Sequence, residues 1–169
     1  FNGVDRITAV SVGSQVMHML TVMLVGLAMG STVTIGKAIG GKQMKEASQT
    51  VGNTVIFFMG LSIVLTAVLL ICVKPIVAVM STPTEAVSET ARYLTICFIG
   101  IPFITAYNII SSIFRGLGDS KSPLLFVFVA CIVNVIGDLA LVAGLHMDAA
   151  GAAIATVTAQ ALSVVFAVI

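Results

Sequence analysis

An acidic side chain inside a long apolar stretch is the residue of this sequence best suited to chemistry. Asp138 is the only Asp or Glu between residues 122 and 147. Asn134 precedes it by four residues, so both side chains lie on one face of a helix. Hard cations bind to oxygen ligands of this kind, and a carboxylate can also carry a proton. The pair therefore predicts a site for Na⁺ or H⁺, with a structural aspartate bonded to a neighbouring helix as the alternative.

A few more polar side chains interrupt the apolar stretches. Gln15, Asn108 and Gln160 are candidates to line a polar cavity. His18 is the other titratable histidine, lysine or acid placed well inside an apolar stretch. A lone histidine is more often a packing residue than a functional one, so packing is the favoured interpretation for His18.

The elements that carry these residues are predicted to be membrane-spanning helices. Hydrophobic residues make up 59% of the chain and charged residues 9%, with a mean hydropathy of +1.16. Soluble domains carry about 25% charged residues, and roughly 20 apolar residues cross a bilayer as a helix. The composition predicts an all-α, polytopic membrane helix bundle with about five transmembrane helices. Their expected ranges are 7–36, 47–73, 84–114, 123–145 and 149–169.

The charges between these segments predict their orientation. Residues 37–46 and 115–121 together hold five Lys or Arg, whereas residues 74–92 and the connection with His146 and Asp148 hold two. Lys and Arg concentrate in cytoplasmic loops. We therefore expect a multi-pass protein of the cell inner membrane, in contact with lipid, with loops 37–46 and 115–121 in the cytoplasm.

Loop residues predict where helices begin and bend. Residues 82–85, Thr-Pro-Thr-Glu, have the pattern of a capping box with proline at the first helical position. They predict a helix that begins near Pro83. Pro102 lies inside the third apolar segment, shortly after Gly100, and should kink that helix.

Small residues predict helix contacts. Gly26 with Gly30, and Gly36 with Gly40, are GxxxG pairs, and residues 149–153 read Ala-Ala-Gly-Ala-Ala. Small residues let helix backbones approach closely in a membrane. We expect packing at these positions, with sliding during a conformational change as the alternative.

Several function classes are disfavoured. The chain has no Trp and no basic stripe, so no nucleic-acid partner is predicted. The three cysteines lack CxxC spacing, so no metal site or redox pair is indicated. Residues 36–43, GKAIGGKQ, depart from a phosphate-binding loop at the position that needs Ser or Thr. A membrane enzyme would need a clustered nucleophile, a His–Glu set or a metal motif. We predict neither an enzyme nor a bound cofactor.

Several motifs, in order along the chain, resemble the multidrug and toxin extrusion (MATE) transporters. RGLGDSKSPL at residues 115–124 is similar to the family's loop between the fourth and fifth helices. Other matching stretches are GKAIG at 36–40, Tyr93-Leu94 with GIPF at 100–103, Asn134 to Asp138, Gly144, GAA at 151–153, Ala155-Thr156 and Gln160. The resemblance covers essentially the whole chain.

The resemblance implies a fold and a function. The family has twelve helices in two six-helix lobes, and this chain would be the second to sixth helices of the N-terminal lobe. A start at Phe1 and an end inside an apolar run also suggest part of a longer chain, whose remaining helices would be its partners. The implied activity is secondary antiport, in which Na⁺ or H⁺ entry drives export of organic cations or other amphipathic compounds. The implied cation-binding residues are Asn134, Asp138 and Thr156, together with an acid on a first helix not present in this sequence.

Other interpretations stay open. A flippase for lipid-linked sugars, or another metabolite exporter of the same superfamily, would handle anionic cargo and favours Lys or Arg inside the helices. None of the apolar segments has one. A non-transporting structural membrane subunit is the third possibility.

Overall fold

The protein is a bundle of helices in this computed structural model, which describes residues 2–80, 82–144 and 147–169. His146, in the fourth connection, lies outside the described residues. No strand occurs in the part that the structure describes, so the all-α prediction is confirmed. The elements are α1 Asn2–Gly40, α2 Met44–Ile71, α3 Val73–Val79, α4 Val87–Ile99, α5 Ile101–Gly116, α6 Lys121–Asp138, a π-helical segment Leu139–Gly144, and α7 Asp148–Val168.

Four of these helical stretches are long and apolar enough to cross a membrane. They are Ile7–Gly40, Met44–Ile71, Lys121–Gly144 and Ala149–Val168. The pair Val87–Ile99 and Ile101–Gly116 passes the same test together and makes a fifth span if it is counted as one. Within the described residues the expectation of about five transmembrane helices is confirmed.

The bend between α4 and α5 confirms the kink predicted for the third segment. The two helices meet at Gly100 with an angle of 46°. Pro102 occupies one of the first two positions of α5, where its missing N–H group is not needed. A Cβ atom on Gly100 would lie 2.4 Å from Cγ2 of Val157, so the glycine also lets α7 pack into the bend.

The predicted capping box at residues 82–85 is wrong. The Thr82 hydroxyl donates to the carbonyl of Val77 at 3.2 Å, and α4 begins only at Val87, after a turn at residues 84–86. The short helix α3, which the sequence did not indicate, provides that carbonyl. Because the hydroxyl closes the end of α3, it is not available to cap α4.

The first and third connections are shorter than expected. Helix α1 continues to Gly40, so Lys37 lies in its last turn, and α2 begins at Met44. Lys42 adopts a positive φ of 58° in the tight turn between them. The connection before α6 is closed by Asp119, whose carboxylate accepts hydrogen bonds from the backbone N–H groups of Lys121 and Ser122 and from the Ser122 hydroxyl. These bonds, above all those from Ser122, hold the pKa of Asp119 below its ordinary value.

The main apolar core lies where α1, α3, α4 and α7 meet. Helix α1 contributes Ala9, Val16 and Leu20, whose spacing places them on one face of the helix. Helix α7 contributes small residues, as predicted for residues 149–153. The buried members are Ala9, Val16, Leu20, Val73, Val77, Tyr93, Leu94, Cys97, Phe98, Ile101, Ala149 and Ala153.

The predicted GxxxG contacts are mostly wrong. Among the described residues, a Cβ atom built on Gly26, Gly30 or Gly40 would meet nothing within 4 Å, and one built on Gly36 would meet the Gly116 carbonyl oxygen at 3.6 Å. Helix α1 instead turns Leu20, Leu24 and Ile35 toward the bundle, so Gly26, Gly30 and Gly40 lie away from the face of α1 that contacts the other described helices. The close crossing is made by Gly116 of α5, where a Cβ would lie 2.9 Å from Cβ of Ile35.

Replacing Gly116 with alanine is expected to lower the stability of the protein. The new methyl group would overlap Ile35 and crowd the Thr32 carbonyl oxygen, which lies 3.1 Å away. Overpacking of this kind destabilises by about 1–3 kcal/mol. The measurement is the unfolding temperature of the detergent-solubilised protein.

Gly26→Ala is the matched control, because it adds the same methyl group to a helix position with open space. It should leave the unfolding temperature unchanged or raise it slightly. Equal loss in both variants would contradict the assignment of the close crossing to Gly116.

Candidate functional site

Asn134 and Thr156 join α6 to α7. The amide nitrogen of Asn134 donates to the Thr156 hydroxyl oxygen at 3.2 Å. That hydroxyl donates in turn to the carbonyl of Ala152, one turn earlier in α7, at 3.0 Å. These two consecutive hydrogen bonds orient both side chains. The amide oxygen of Asn134 takes no part in them. The sequence analysis named Asn134 from its spacing to Asp138 and Thr156 from the resemblance to a known family, and the structure brings the two side chains together.

Asp138 lies one turn beyond Asn134 on the same helix face. Its Oδ1 atom is buried and has no hydrogen-bond partner among the described residues. The described part of the chain places no positive side chain within ion-pair distance of it. An unpaired carboxylate oxygen in such surroundings is unfavourable, because nothing replaces the water it has lost.

A close approach of α6 and α7 holds these groups against each other. Gly137 lies between Asn134 and Asp138, and a Cβ atom on it would lie 3.0 Å from Cβ of Ala155. Ala155 is the neighbour of Thr156 and is itself buried. The glycine and alanine pair therefore brings the polar face of α6 within hydrogen-bond reach of Thr156.

A cleft of about 370 Å³ opens beside Thr156 and lies between α1, α4, α5 and α7. It contains two of the three residues predicted to line a cavity, Asn108 and Gln160. The Asn108 amide nitrogen donates to the Ile104 carbonyl at 2.8 Å, whereas Oε1 of Gln160 is buried without a partner among the described residues. The described lining is Ser14, Met17, His18, Thr21, Tyr93, Cys97, Ile104, Tyr107, Asn108, Thr156, Val157 and Gln160.

Gln15, the third predicted cavity residue, is exposed and is not among the described residues that line the cleft. Ser14, His18 and Thr21 line it instead, because their spacing of four and three places them on one face of α1. That spacing is visible in the sequence and could have identified this face. His18, for which packing was the favoured interpretation, is exposed toward the cleft rather than packed in the core.

Sequence reasoning also missed Tyr93 and Tyr107 as lining residues. Tyr93 packs its ring on the backbone of α1, where a Cβ atom on Gly13 would lie 2.3 Å from its Cδ1 atom. The sequence around Tyr93 does not indicate that its side chain lines a cleft, because that position results from the bend at Gly100 and the close crossing at Gly13.

The chemistry that this arrangement can support is cation binding by oxygen atoms. A carboxylate and an amide oxygen lie one turn apart on α6, and the hydroxyl of Thr156 on α7 is bonded to the same amide group. Among the described residues no three His, Cys, Asp or Glu side chains are grouped as transition-metal ligands would be.

Comparisons with known proteins agree with the fold. Residues 1–140 match the MatE family. The probable multidrug resistance protein YoeA of Bacillus subtilis (strain 168) is 32% identical over 133 residues, which are 79% of this chain and 29% of that protein. The probable multidrug resistance protein YpnP of the same organism is 28% identical over 164 residues, or 97% of this chain and 37% of that protein. The chain thus spans about a third of the length of these relatives.

A solved structure has the same arrangement of helices. It is described as the inward-facing conformation of a multidrug resistance MATE family transporter of the MOP superfamily. The TM-score is 0.93 at 22% sequence identity, over 97% of this chain and 37% of that one.

Loss of the Thr156 hydroxyl should weaken the junction of α6 and α7. Thr156→Val keeps the shape of the side chain but removes the acceptor of the Asn134 amide, which should lower stability by about 0.5–1.5 kcal/mol. Thr156→Ser keeps the hydroxyl and should retain most of that stability. The measurement is thermal unfolding in detergent, and equal unfolding temperatures for the two variants would show that the hydrogen bond does not stabilise the bundle.

Proposed function

Because the chain belongs to the MatE family, we propose that it is part of a secondary active antiporter that exports organic cations and other drugs in exchange for Na⁺ or H⁺. In this proposal the chain provides the second to sixth helices of the N-terminal six-helix lobe of the whole protein. The observation that supports it most directly is the unpaired Asp138 oxygen beside the bonded pair of Asn134 and Thr156.

The proposed coupling site consists of those three residues. Asp138 would supply the charge, and the free amide oxygen of Asn134 and the Thr156 hydroxyl oxygen would complete the ligands for Na⁺. With H⁺ as the coupling ion, Asp138 alone would carry the proton. Either cation neutralises a carboxylate whose Oδ1 has no other partner in the described residues.

Coupling requires the cation to favour one conformation of the protein and the drug to favour another. Neutralising Asp138 removes the penalty for closing apolar helices around it. Since Asn134, Gly137 and Asp138 all face α7, cation loading would change how tightly α6 packs on α7. Thr156 lies both in this junction and in the wall of the cleft, so the same movement would reshape the cleft.

The cleft is the proposed cargo space of this lobe. Its volume of about 370 Å³ is within the range of roughly 300–1,000 Å³ found for small-molecule sites. Its described lining combines two tyrosines and four largely apolar side chains with six hydrogen-bonding ones, which suits amphipathic compounds. None of the described lining residues is Lys or Arg, which disfavours the alternative of a flippase for anionic lipid-linked sugars.

The membrane setting of the proposal follows the charge pattern. Loops 37–46 and 115–121 would face the cytoplasm, with the protein in the cell inner membrane. A Cβ atom built on Gly36 would lie 3.6 Å from the Gly116 carbonyl oxygen, so these two basic connections lie at the same end of the bundle. Their grouping supports a common side of the membrane for both.

Replacing Asp138 with asparagine is expected to abolish cation-driven export. The amide keeps the shape of the side chain but can neither bind a proton nor compensate a cation. The measurement is ethidium accumulation in pump-deficient bacteria that produce the whole protein, with membrane insertion checked by immunoblot. Wild type should lower accumulation, and Asp138→Asn should raise it to the level of cells without the protein.

Glu85→Gln is the matched control, since it makes the same acid-to-amide change at an exposed loop position. It should export as wild type does. If Asp138→Asn exports equally well, the protein is a pump with its coupling site elsewhere. If wild type does not export, another cargo such as a lipid or a metabolite takes precedence.

A further inference from the structure

The six residues that follow Asp138 form a π-helix rather than an α-helix. The segment Leu139–Gly144 has the sequence Leu-Ala-Leu-Val-Ala-Gly and contains no proline. Alanine and leucine are among the strongest formers of α-helix, so local preference does not explain the wider turn. π-Helices are rare and occur frequently at functional sites. Contacts with the rest of the bundle must therefore impose the geometry here.

The imposing contacts come from the start of α7. A Cβ atom on Gly151 would lie 3.3 Å from the carbonyl carbon of Leu141, so α7 runs directly over the π-helical segment. The N–H of Met147 donates to the Leu141 carbonyl at 3.0 Å and ties the segment to the residue that directly precedes α7. Just before the segment, a Cβ atom on Gly137 would lie 3.0 Å from Cβ of Ala155 in α7. The segment is thus held between two close contacts with the same helix.

The contacts fix how α6 and its π-helical continuation lie against α7. Gly137 meets Ala155 and Leu141 meets Gly151, so four residues separate the two contacts on each helix. The bond between Asn134 and Thr156 lies about one turn before the first of them. The π-helical segment therefore begins between two fixed contacts with α7, and it keeps its backbone groups hydrogen-bonded, as a membrane interior requires.

We propose that the π-helical segment Leu139–Gly144 is the positioning element of the cation site. It sets the position of Asn134 and Asp138 along the axis of α6, and their rotation about that axis, relative to Thr156. It thereby sets the affinity of the site for the coupling cation. This inference rests on the proposed function. No residue of the segment is among the described lining of the cleft, and in this proposal it acts only through the register of α6 against α7.

Deleting Ala143 tests the proposal. Removing one residue should convert the i→i+5 backbone hydrogen bonds of the π-helix into the i→i+4 hydrogen bonds of a regular α-helix. The side chain lost is a single exposed methyl group. Ala143→Gly removes the same methyl group at unchanged length and is the matched control. The measurement is dye efflux from liposomes that contain the whole protein, as a function of Na⁺ concentration and of pH.

The deletion should raise the cation concentration for half-maximal efflux about tenfold or more, as loss of supporting groups around a metal ligand does. At saturating cation concentration the maximal rate of dye efflux should stay near that of wild type, which a general loss of structure would not allow. Ala143→Gly should resemble wild type. A folded deletion variant with wild-type cation dependence would overturn the proposal.

Gly151→Ala is the second test of the proposal, for the case in which the deletion variant does not fold. Its methyl group presses on Leu141 and Met147 at 3.1–3.3 Å without changing the length of the chain. A raised half-maximal cation concentration supports the proposal, and an unchanged one overturns it. Absence of any cation dependence in wild type would instead remove the proposed function, and this inference with it.

Discussion

A carboxylate placed inside a membrane-spanning helix is the constraint on which the rest of this structure depends. Insertion scales put the penalty for an aspartate at the centre of such a helix at about 2.5–3.5 kcal/mol. Neighbouring groups usually relieve it, yet here Asn134 and Thr156 are bonded to each other and Oδ1 of Asp138 is left without a partner in the described residues. The protein thus keeps an uncompensated acceptor where a small cation would relieve it. This is the physical basis for treating the site as functional and not only structural.

Close helix contacts are the second requirement, because the polar groups meet only where backbones approach. Gly137 brings α6 onto α7, Gly100 lets α7 enter the bend between α4 and α5, and Gly13 lets the ring of Tyr93 lie on α1. Each glycine replaces a side chain that would hold two elements apart. Lipid gives no hydrophobic drive for helices to associate, so packing of this kind and a few hydrogen bonds must hold the bundle together. The cleft is the space left between these contacts.

Sequence reasoning predicted the all-α membrane fold, the bend near Pro102 and the small-residue start of α7, because each follows from composition or from one residue's backbone chemistry. It also named Asn134 and Thr156, which the structure joins. It was wrong about Gly26 and Gly30, since a GxxxG spacing does not say which face of a helix meets the bundle. Gln15 was placed in the cavity for the same reason: polarity alone gives no direction around the helix.

Tertiary contacts explain what was missed. The capping box at residues 82–85 had the right residue types, but α3 captured the threonine hydroxyl. The π-helical segment has a sequence typical of an ordinary helix, and only its contacts with Gly151 and the register of α7 distinguish it. Tyr93 became part of the site through the bend at Gly100 and through Gly13, which lies on another helix far away in sequence. Long-range packing of this kind leaves no mark in local patterns.

The central claim is that the coupling cation, Na⁺ or H⁺, binds at the carboxylate of Asp138. Infrared difference spectroscopy of the whole protein in lipid tests it most directly, because carboxylate and carboxyl bands report on the bound cation without relying on transport. We predict a cation-induced change in a carboxyl or carboxylate band of the wild-type protein that disappears in Asp138→Asn and persists in Glu85→Gln. The same difference spectrum in wild type and Asp138→Asn would show that the cation binds elsewhere and would contradict the account.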